Sequence, residues 1–64
     1  MIGKYKLKNE KSFRCGVSVF TLPEGSVVEI TQTDKSHGKI LIKFSDRETD
    51  WYPDTYLGYL EKVQ

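Results

Sequence analysis

The chain has 64 residues, of which 38% are hydrophobic and 12% aromatic, and it carries ten basic and nine acidic side chains. A chain of this length forms one domain, here residues 1–64, whose core supplies on the order of 3–5 kcal/mol of net stability. Its single cysteine and single histidine exclude an internal disulfide bond and a zinc site built from the usual nitrogen and sulfur ligands, so we expect neither a metal nor another cofactor.

Alternation of polar and apolar residues predicts a strand at residues 4–8, with Tyr5 and Leu7 inward and the lysines outward. Glycine and proline interrupt the apolar residues of 9–25, so this segment is predicted to be a long, partly extended loop that folds back on the core. Residues 26–33 are predicted to form the second strand, which is followed by a turn.

The C-terminal half of the chain predicts three more strands. The strongest of them, residues 40–44, carries its apolar side chains on one face: Ile40, Ile42 and Phe44. Pro53 is expected to end the fourth strand because proline has no N–H to donate to a sheet. Residues 53–57 are predicted as one helical turn, and residues 59–63 as the last strand. Five short strands without helical periodicity indicate an all-β fold, a small and strongly bent five-stranded barrel.

Two segments resemble the Src homology 3 family. Residues 22–30 are similar to the family's pattern of an apolar residue, a turn glycine and a strand that reads apolar-apolar-acidic-apolar. Within residues 50–57, the run Tyr-Pro-Asp-Thr-Tyr-Leu is similar to the family's stretch of aromatic, proline, two polar residues, tyrosine and aliphatic. The resemblance implies the family's barrel, with residues 10–20 in its long first loop.

The resemblance also implies a groove that binds proline-rich segments between aromatic rings. Pro53 and Tyr56 fall where the family's groove has its proline and tyrosine, and Tyr5 is expected beside them.

We predict a non-enzymatic protein-binding module, an accessory or inhibitor of a larger complex, of the kind that a phage encodes. Nearby carboxylates, including Glu48, favour a basic protein or peptide partner. The predicted partner-binding residues are Tyr5, Asp50, Tyr52, Pro53, Asp54 and Tyr56. The alternative interpretation of the tyrosines, Tyr59 included, is that they cover the open end of the barrel.

Trp51 is the one tryptophan of the chain, and we expect it at the centre of the core because a buried aromatic removes about 150–250 Å² from water. The alternative is a ligand platform. A core position predicts that Trp51→Ala unfolds the protein.

The N-terminal residues support an alternative function, nucleic-acid binding. Its predicted contacts are Lys4, Lys6, Lys8, Lys11 and Arg14, the first three of which lie about 6.6–7 Å apart along one strand face. The other interpretation is that lysines on an edge strand prevent aggregation. The sequence pI of 7.8 is also lower than nucleic-acid modules usually show.

Catalytic chemistry is not expected. Cys15 and His37 lie in predicted loops without a third orienting group, so Cys15 is interpreted as a small buried apolar residue and His37 as a turn residue. The carboxylates of Glu48, Asp50 and Asp54 are interpreted as a solvated acidic rim.

The sequence has no apolar run of the roughly 18 residues that span a bilayer, and its first residues contain no export core. Because an unpaired cysteine is typical of a reducing compartment, we expect a cytoplasmic protein without membrane contact. A monomer or weak oligomer is predicted; a subunit that is stable only within an assembly is the alternative.

Overall fold

A computed structural model describes residues 2–45 and 49–63 and shows an all-β chain with one short helix. Within these residues the elements are β1 (Gly3–Leu7), β2 (Lys11–Cys15), β3 (Ser18–Leu22), β4 (Val27–Asp34), β5 (Lys39–Lys43), β6 (Asp50–Pro53), a 3-10 helix (Asp54–Tyr59) and β7 (Leu60–Lys62). The all-β prediction is confirmed, although the described chain has more strands than the predicted five. No helix in the described segments has the length and apolarity needed to cross a membrane.

The strands form two antiparallel sheets. One has five strands in the order β6-β5-β4-β1-β7, and the other is the β2–β3 hairpin. Strand β4 pairs with β5 through a register shift between Ile30 and Gln32, and such a bulge bends and twists a strand. Among the described residues the pairing leaves β6 and β7 as the outer strands of an open sheet.

The β2–β3 hairpin lies where a long loop was predicted, and that prediction was wrong. Phe13 pairs with Phe20 across the hairpin, and both rings are buried. The turn between the strands holds Gly16 at a φ of 64°, while Val17 after it has no positive φ. This combination fits a type II′ turn, whose twist suits a two-residue hairpin connection. Each phenylalanine is thus a buried residue of a strand, with exposed residues on both sides of it in the sequence.

One core lies between the hairpin and the five-stranded sheet. Phe44, which follows β5, has its ring centroid 5.1 Å from that of Phe13 and 4.9 Å from that of Phe20. The buried side chains of the described residues are Tyr5, Leu7, Phe13, Phe20, Val28, Ile30, Ile40, Ile42, Phe44, Tyr52 and Leu60. The predicted inward faces of β1 and β5 are thus confirmed, and β6 ends at Pro53 as predicted.

Trp51 is not in the core, so the prediction that placed it there was wrong. Its side chain is 40% exposed, whereas Tyr52 beside it is only 5% exposed. Successive side chains of a strand point to opposite faces, and the inward position of β6 belongs to Tyr52. Trp51 instead pairs with Leu41 of β5 on the outer face of the sheet.

Trp51→Ala is consequently expected to fold. Because the indole is only partly buried against one sheet face, we expect a loss of about 1–3 kcal/mol of stability and a transition that stays cooperative. Urea unfolding followed by circular dichroism measures both quantities. A Trp51→Ala variant without a cooperative transition would instead support a core position for Trp51.

Candidate functional site

Two tyrosines of the 3-10 helix form an exposed aromatic surface. Tyr56 and Tyr59 are three residues apart, a spacing that places side chains on the same side of a 3-10 helix. Their ring centroids are 5.5 Å apart and their planes meet at 89°. Tyr56 is half-buried, and Tyr59 is 47% exposed. The two rings therefore make a right-angled recess that is open to solvent.

Lys11 of β2 completes this recess. Its Nζ lies 4.8 Å from the ring centroid of Tyr56 and 4.5 Å from that of Tyr59. A cation at such distances from two ring faces is attracted by the quadrupole of each. We call the set Lys11, Tyr56 and Tyr59 the tyrosine surface.

Buried aromatic rings support the tyrosine surface from below. Tyr52 stacks on Tyr56 with centroids 5.3 Å apart and planes 26° apart. The ring centroid of Phe13 lies 5.7 Å from that of Tyr52 and 6.1 Å from that of Tyr56. Since Tyr52 and Phe13 belong to the core, the ring of Tyr56 is held in place before any ligand binds.

Two hydrogen bonds fix the hairpin, and with it Lys11, relative to β6, and a third lies within β6 itself. The Tyr52 hydroxyl donates to the carbonyl oxygen of Arg14 at 2.7 Å. The two carboxylate oxygens of Asp50 accept the backbone N–H groups of Gly16 at 3.1 Å and Trp51 at 2.7 Å. The Asp50 carboxylate is therefore engaged in the fold itself.

The Tyr52 hydroxyl stays neutral over the ordinary pH range. Burial raises the pKa of Tyr52 well above its usual range, and the neighbouring Cys15, Asp50 and Tyr56 raise it further. The hydroxyl consequently acts as a hydrogen-bond donor to the hairpin.

The structure divides the predicted partner-binding residues into two groups. Tyr5 and Tyr52 are buried, 8% and 5% exposed, so their rings pack in the core and not on a contact surface. Pro53 and Asp54 are exposed, and Asp50 and Tyr56 are half-buried. Glu48 lies outside the described residues.

Two members of the tyrosine surface were absent from that predicted set. Tyr59 follows Tyr56 at the 3-10 spacing, which is a signal that the sequence contains. Lys11 was assigned to nucleic-acid binding, and only the fold of the hairpin shows that it lies over the two rings.

The five basic residues of the alternative site have different surroundings. Lys4 pairs with Glu29 across β1 and β4. The Nζ of Lys6 lies 3.9 Å from a carboxylate oxygen of Glu61. Lys8 follows β1, where its backbone N–H donates to the carbonyl oxygen of Tyr59 at 3.0 Å, and Arg14 is on the outer face of the hairpin. The fifth, Lys11, belongs to the tyrosine surface.

The proposal that β1 is a protected edge strand was wrong. In the sheet, β1 lies between β4 and β7 and pairs with both. Its lysines face solvent on the outer side of an interior strand. They therefore protect no edge.

His37 has a structural role in the β4–β5 turn. Its Nδ1 lies 2.8 Å from a carboxylate oxygen of Asp34, and the other oxygen accepts the Ser36 hydroxyl at 2.7 Å. These hydrogen bonds hold the pKa of Asp34 below its usual range, and the bond from Ser36 has the larger effect. Cys15, which is half-buried, packs against the core from β2. Within residues 2–45 and 49–63 no group of His, Cys, Asp and Glu is arranged to hold a metal ion.

Comparisons with known proteins add no family to this geometry. The chain matches no protein-family model, no curated protein and no solved structure. Its function is therefore inferred from the tyrosine surface and its surroundings.

Proposed function

We propose that this chain is a non-enzymatic protein-binding module that recognises a partner protein or peptide through the tyrosine surface and the adjoining Pro53. The observation that carries the proposal is the perpendicular pair of rings formed by the half-buried Tyr56 and the exposed Tyr59, of which Tyr56 stacks on the buried ring of Tyr52. Rings that are fixed before binding lose little conformational entropy on association, and tyrosine is enriched among residues that dominate interfaces.

The fold proposed with this function is a small barrel of the Src homology 3 type. Three features support it: β1 lies beside β7, the β2–β3 hairpin occupies the long first connection, and the 3-10 helix separates β6 from β7. Contacts of Phe13 and Phe20 with Phe44 bring the hairpin and the sheet over one core.

The cellular setting stays a prediction. An accessory or inhibitory role, a cytoplasmic location and a monomeric or weakly oligomeric state are predictions from the sequence, and a phage origin is a hypothesis.

Nucleic-acid binding receives less support from the structure. Glu29 lies between Lys4 and Lys43 in the pairing of β1, β4 and β5, and Glu61 lies beside Lys6. Carboxylates among the lysines lower the positive potential that a phosphate backbone requires.

Tyr59→Ala is expected to lower partner affinity by about 1–2 kcal/mol while the fold survives. The fold survives because Tyr59 is exposed and makes its ring contact with Tyr56 at the surface. The partner is first captured from an extract of the native cell on immobilised wild-type protein and then purified. Calorimetric titration of the purified partner compares wild type, Tyr59→Ala and Val27→Ala, an exposed residue on β4 that serves as the control.

Equal partner affinities of Tyr59→Ala and wild type would remove the tyrosine surface as the binding site. Binding of DNA or RNA that weakens steeply between about 20 and 200 mM salt would replace the proposal with nucleic-acid recognition.

A further inference from the structure

We infer that the tyrosine surface recognises an acidic, extended segment of its partner, with a carboxylate of that segment at Lys11. The inference rests on the proposed protein-binding function and names the chemistry of the partner. The sequence had favoured a basic partner, and the geometry of the site reverses that preference.

Lys11 provides the first reason. Its ammonium group lies over the rings of Tyr56 and Tyr59 and forms no ion pair within the described parts of the chain. Lys6, in contrast, has its Nζ 3.9 Å from a carboxylate oxygen of Glu61, and Lys4 lies opposite Glu29 in the pairing of β1 with β4. A partner carboxylate would supply the charge that the recess lacks and would leave the cation–π contacts in place.

The tyrosine hydroxyls provide the second reason. Neither the Tyr56 nor the Tyr59 hydroxyl has a hydrogen-bond acceptor among the described residues. With the Lys11 ammonium, the tyrosine surface thus offers three donor groups, one ammonium and two hydroxyls, and no carboxylate of its own. A ligand rich in acceptors is the complement of such a surface, and an aspartate or glutamate accepts through both oxygens.

A basic partner meets two obstacles at this surface. Its cation would compete with the Lys11 ammonium for the same ring faces and would be repelled by that ammonium. Of the carboxylates expected to attract it, Asp50 has both oxygens bonded to backbone N–H groups. The exposed Asp54 carboxylate stands at the start of the 3-10 helix beside Gly38 of the β4–β5 turn, where the Asp54 backbone N–H donates to the carbonyl oxygen of Gly38 at 2.9 Å.

A peptide suits the surface better than a nucleic acid, the other ligand with repeated negative charge. Single-stranded nucleic acid also stacks on aromatic rings, but its affinity comes largely from several cations along the backbone. Among the described residues, Lys11 is the cation that lies over these rings, while Lys4 and Lys6 of β1 lie opposite Glu29 and Glu61 in the sheet. An aliphatic stem or a proline of a peptide packs on the exposed ring of Tyr59 while one carboxylate meets Lys11.

The experiment begins with selection from a phage library of random linear peptides on immobilised wild-type protein. Enriched peptides are synthesised twice, once as selected and once with every aspartate and glutamate replaced by its amide. Fluorescence anisotropy then measures their affinities for wild type, Lys11→Glu, Arg14→Glu and Tyr59→Ala. Arg14→Glu is the matched control, because it makes the same change of net charge on the same strand but on the opposite face of the hairpin.

We expect the selected peptides to be enriched in aspartate and glutamate. Their amide forms should bind wild type about tenfold more weakly. The acidic peptides should bind Lys11→Glu at least about tenfold more weakly than they bind wild type. Arg14→Glu should change their affinity by less than about threefold. A repeat of the selection on Lys11→Glu should enrich lysine and arginine instead.

Neutral or basic peptides, equal affinities of acidic and amide forms, or equal effects of Lys11→Glu and Arg14→Glu would each overturn the inference. A library that yields no binding peptide would overturn it as well. If peptides without acidic residues bind wild type but not Tyr59→Ala, the acidic preference fails and the protein-binding function stands. If labelled single-stranded DNA or RNA of about ten nucleotides binds more tightly than any peptide, both fail together.

Discussion

Replacement of Phe13 by alanine is expected to leave the protein largely unfolded. Phe13 is 2% exposed, and its ring contacts the rings of Phe20, Phe44, Tyr52 and Tyr56. Truncation of a buried phenylalanine costs about 3–5 kcal/mol, through lost burial and the cavity that remains. That loss equals the net stability expected of a core this small. Circular dichroism and urea unfolding should show no native baseline for the variant.

The matched control is Val19→Ala on the same hairpin. Val19 pairs with Arg14 and is 67% exposed on the face opposite Phe13, so its truncation should change stability by less than about 0.5 kcal/mol. Phe13→Leu should fold with reduced stability because it keeps most of the apolar volume. A Phe13→Ala variant that unfolds within about 1 kcal/mol of wild type would show that the hairpin is not packed on the sheet.

Period-two patterning explains which strands the sequence could predict. In β1 apolar residues occupy alternate positions; β4 and β5 each add one apolar residue on the other face, Val27 and Leu41, and in all three strands the structure buries one alternate set. One buried face is sufficient to determine which side chains of a strand point inward. Those predictions therefore needed no knowledge of the tertiary fold.

The hairpin could not be predicted in the same way because its signal is shorter. Each of its strands has one buried aromatic, Phe13 in β2 and Phe20 in β3, and both also carry polar or exposed apolar neighbours. Gly16, which interrupts the apolar residues and so favoured a loop, is the residue that makes the tight turn possible. Glycine is compatible with a loop and with a type II′ turn, and only the pairing of the flanking strands distinguishes them.

The inward aromatic of β6 was assigned to the wrong residue for a related reason. Trp51 and Tyr52 are adjacent, so an alternating strand must bury one and expose the other. Size favoured the tryptophan. The structure instead buries the tyrosine, whose hydroxyl reaches the carbonyl oxygen of Arg14 and so has a partner inside the protein. That partner lies 38 residues away along the chain and is invisible to local pattern.

Of the candidate site, only the two tyrosines of the 3-10 helix could be predicted from the sequence. Tyr56 follows from the aromatic-proline-tyrosine pattern, and Tyr59 follows from the spacing of a 3-10 turn. Lys11 reaches the rings from β2, which requires the hairpin to fold over the core and to be held by Asp50 and Tyr52. The positive charge at the site therefore comes from a residue that is distant in sequence. The carboxylates close to Tyr56 in the sequence had indicated a negatively charged site.

Tyr52→Phe is expected to destabilise the fold by about 1–2 kcal/mol at neutral pH, because the carbonyl oxygen of Arg14 loses its donor. The ring itself stays, so the stacking on Tyr56 and the packing on Phe13 are preserved. Urea unfolding measures the difference. Tyr59→Phe, at an exposed ring, is the matched control and should unfold within about 0.5 kcal/mol of wild type.

The same variant tests the raised pKa of Tyr52, and the sign follows from linkage. Burial raises the folded-state pKa above the value of about 10 for an unfolded tyrosine, so the folded protein keeps a proton that the unfolded chain releases. The stability that Tyr52 contributes is complete below about pH 10 and decreases as the pH rises above it, by up to about 1.4 kcal/mol per pH unit. Between about pH 9 and pH 11 the gap between wild type and Tyr52→Phe should therefore narrow, while lysine titration, common to both proteins, cancels. A gap of constant width over that range would mean that the Tyr52 hydroxyl ionises as readily in the folded protein as in the unfolded chain, and would remove its buried bond to the hairpin.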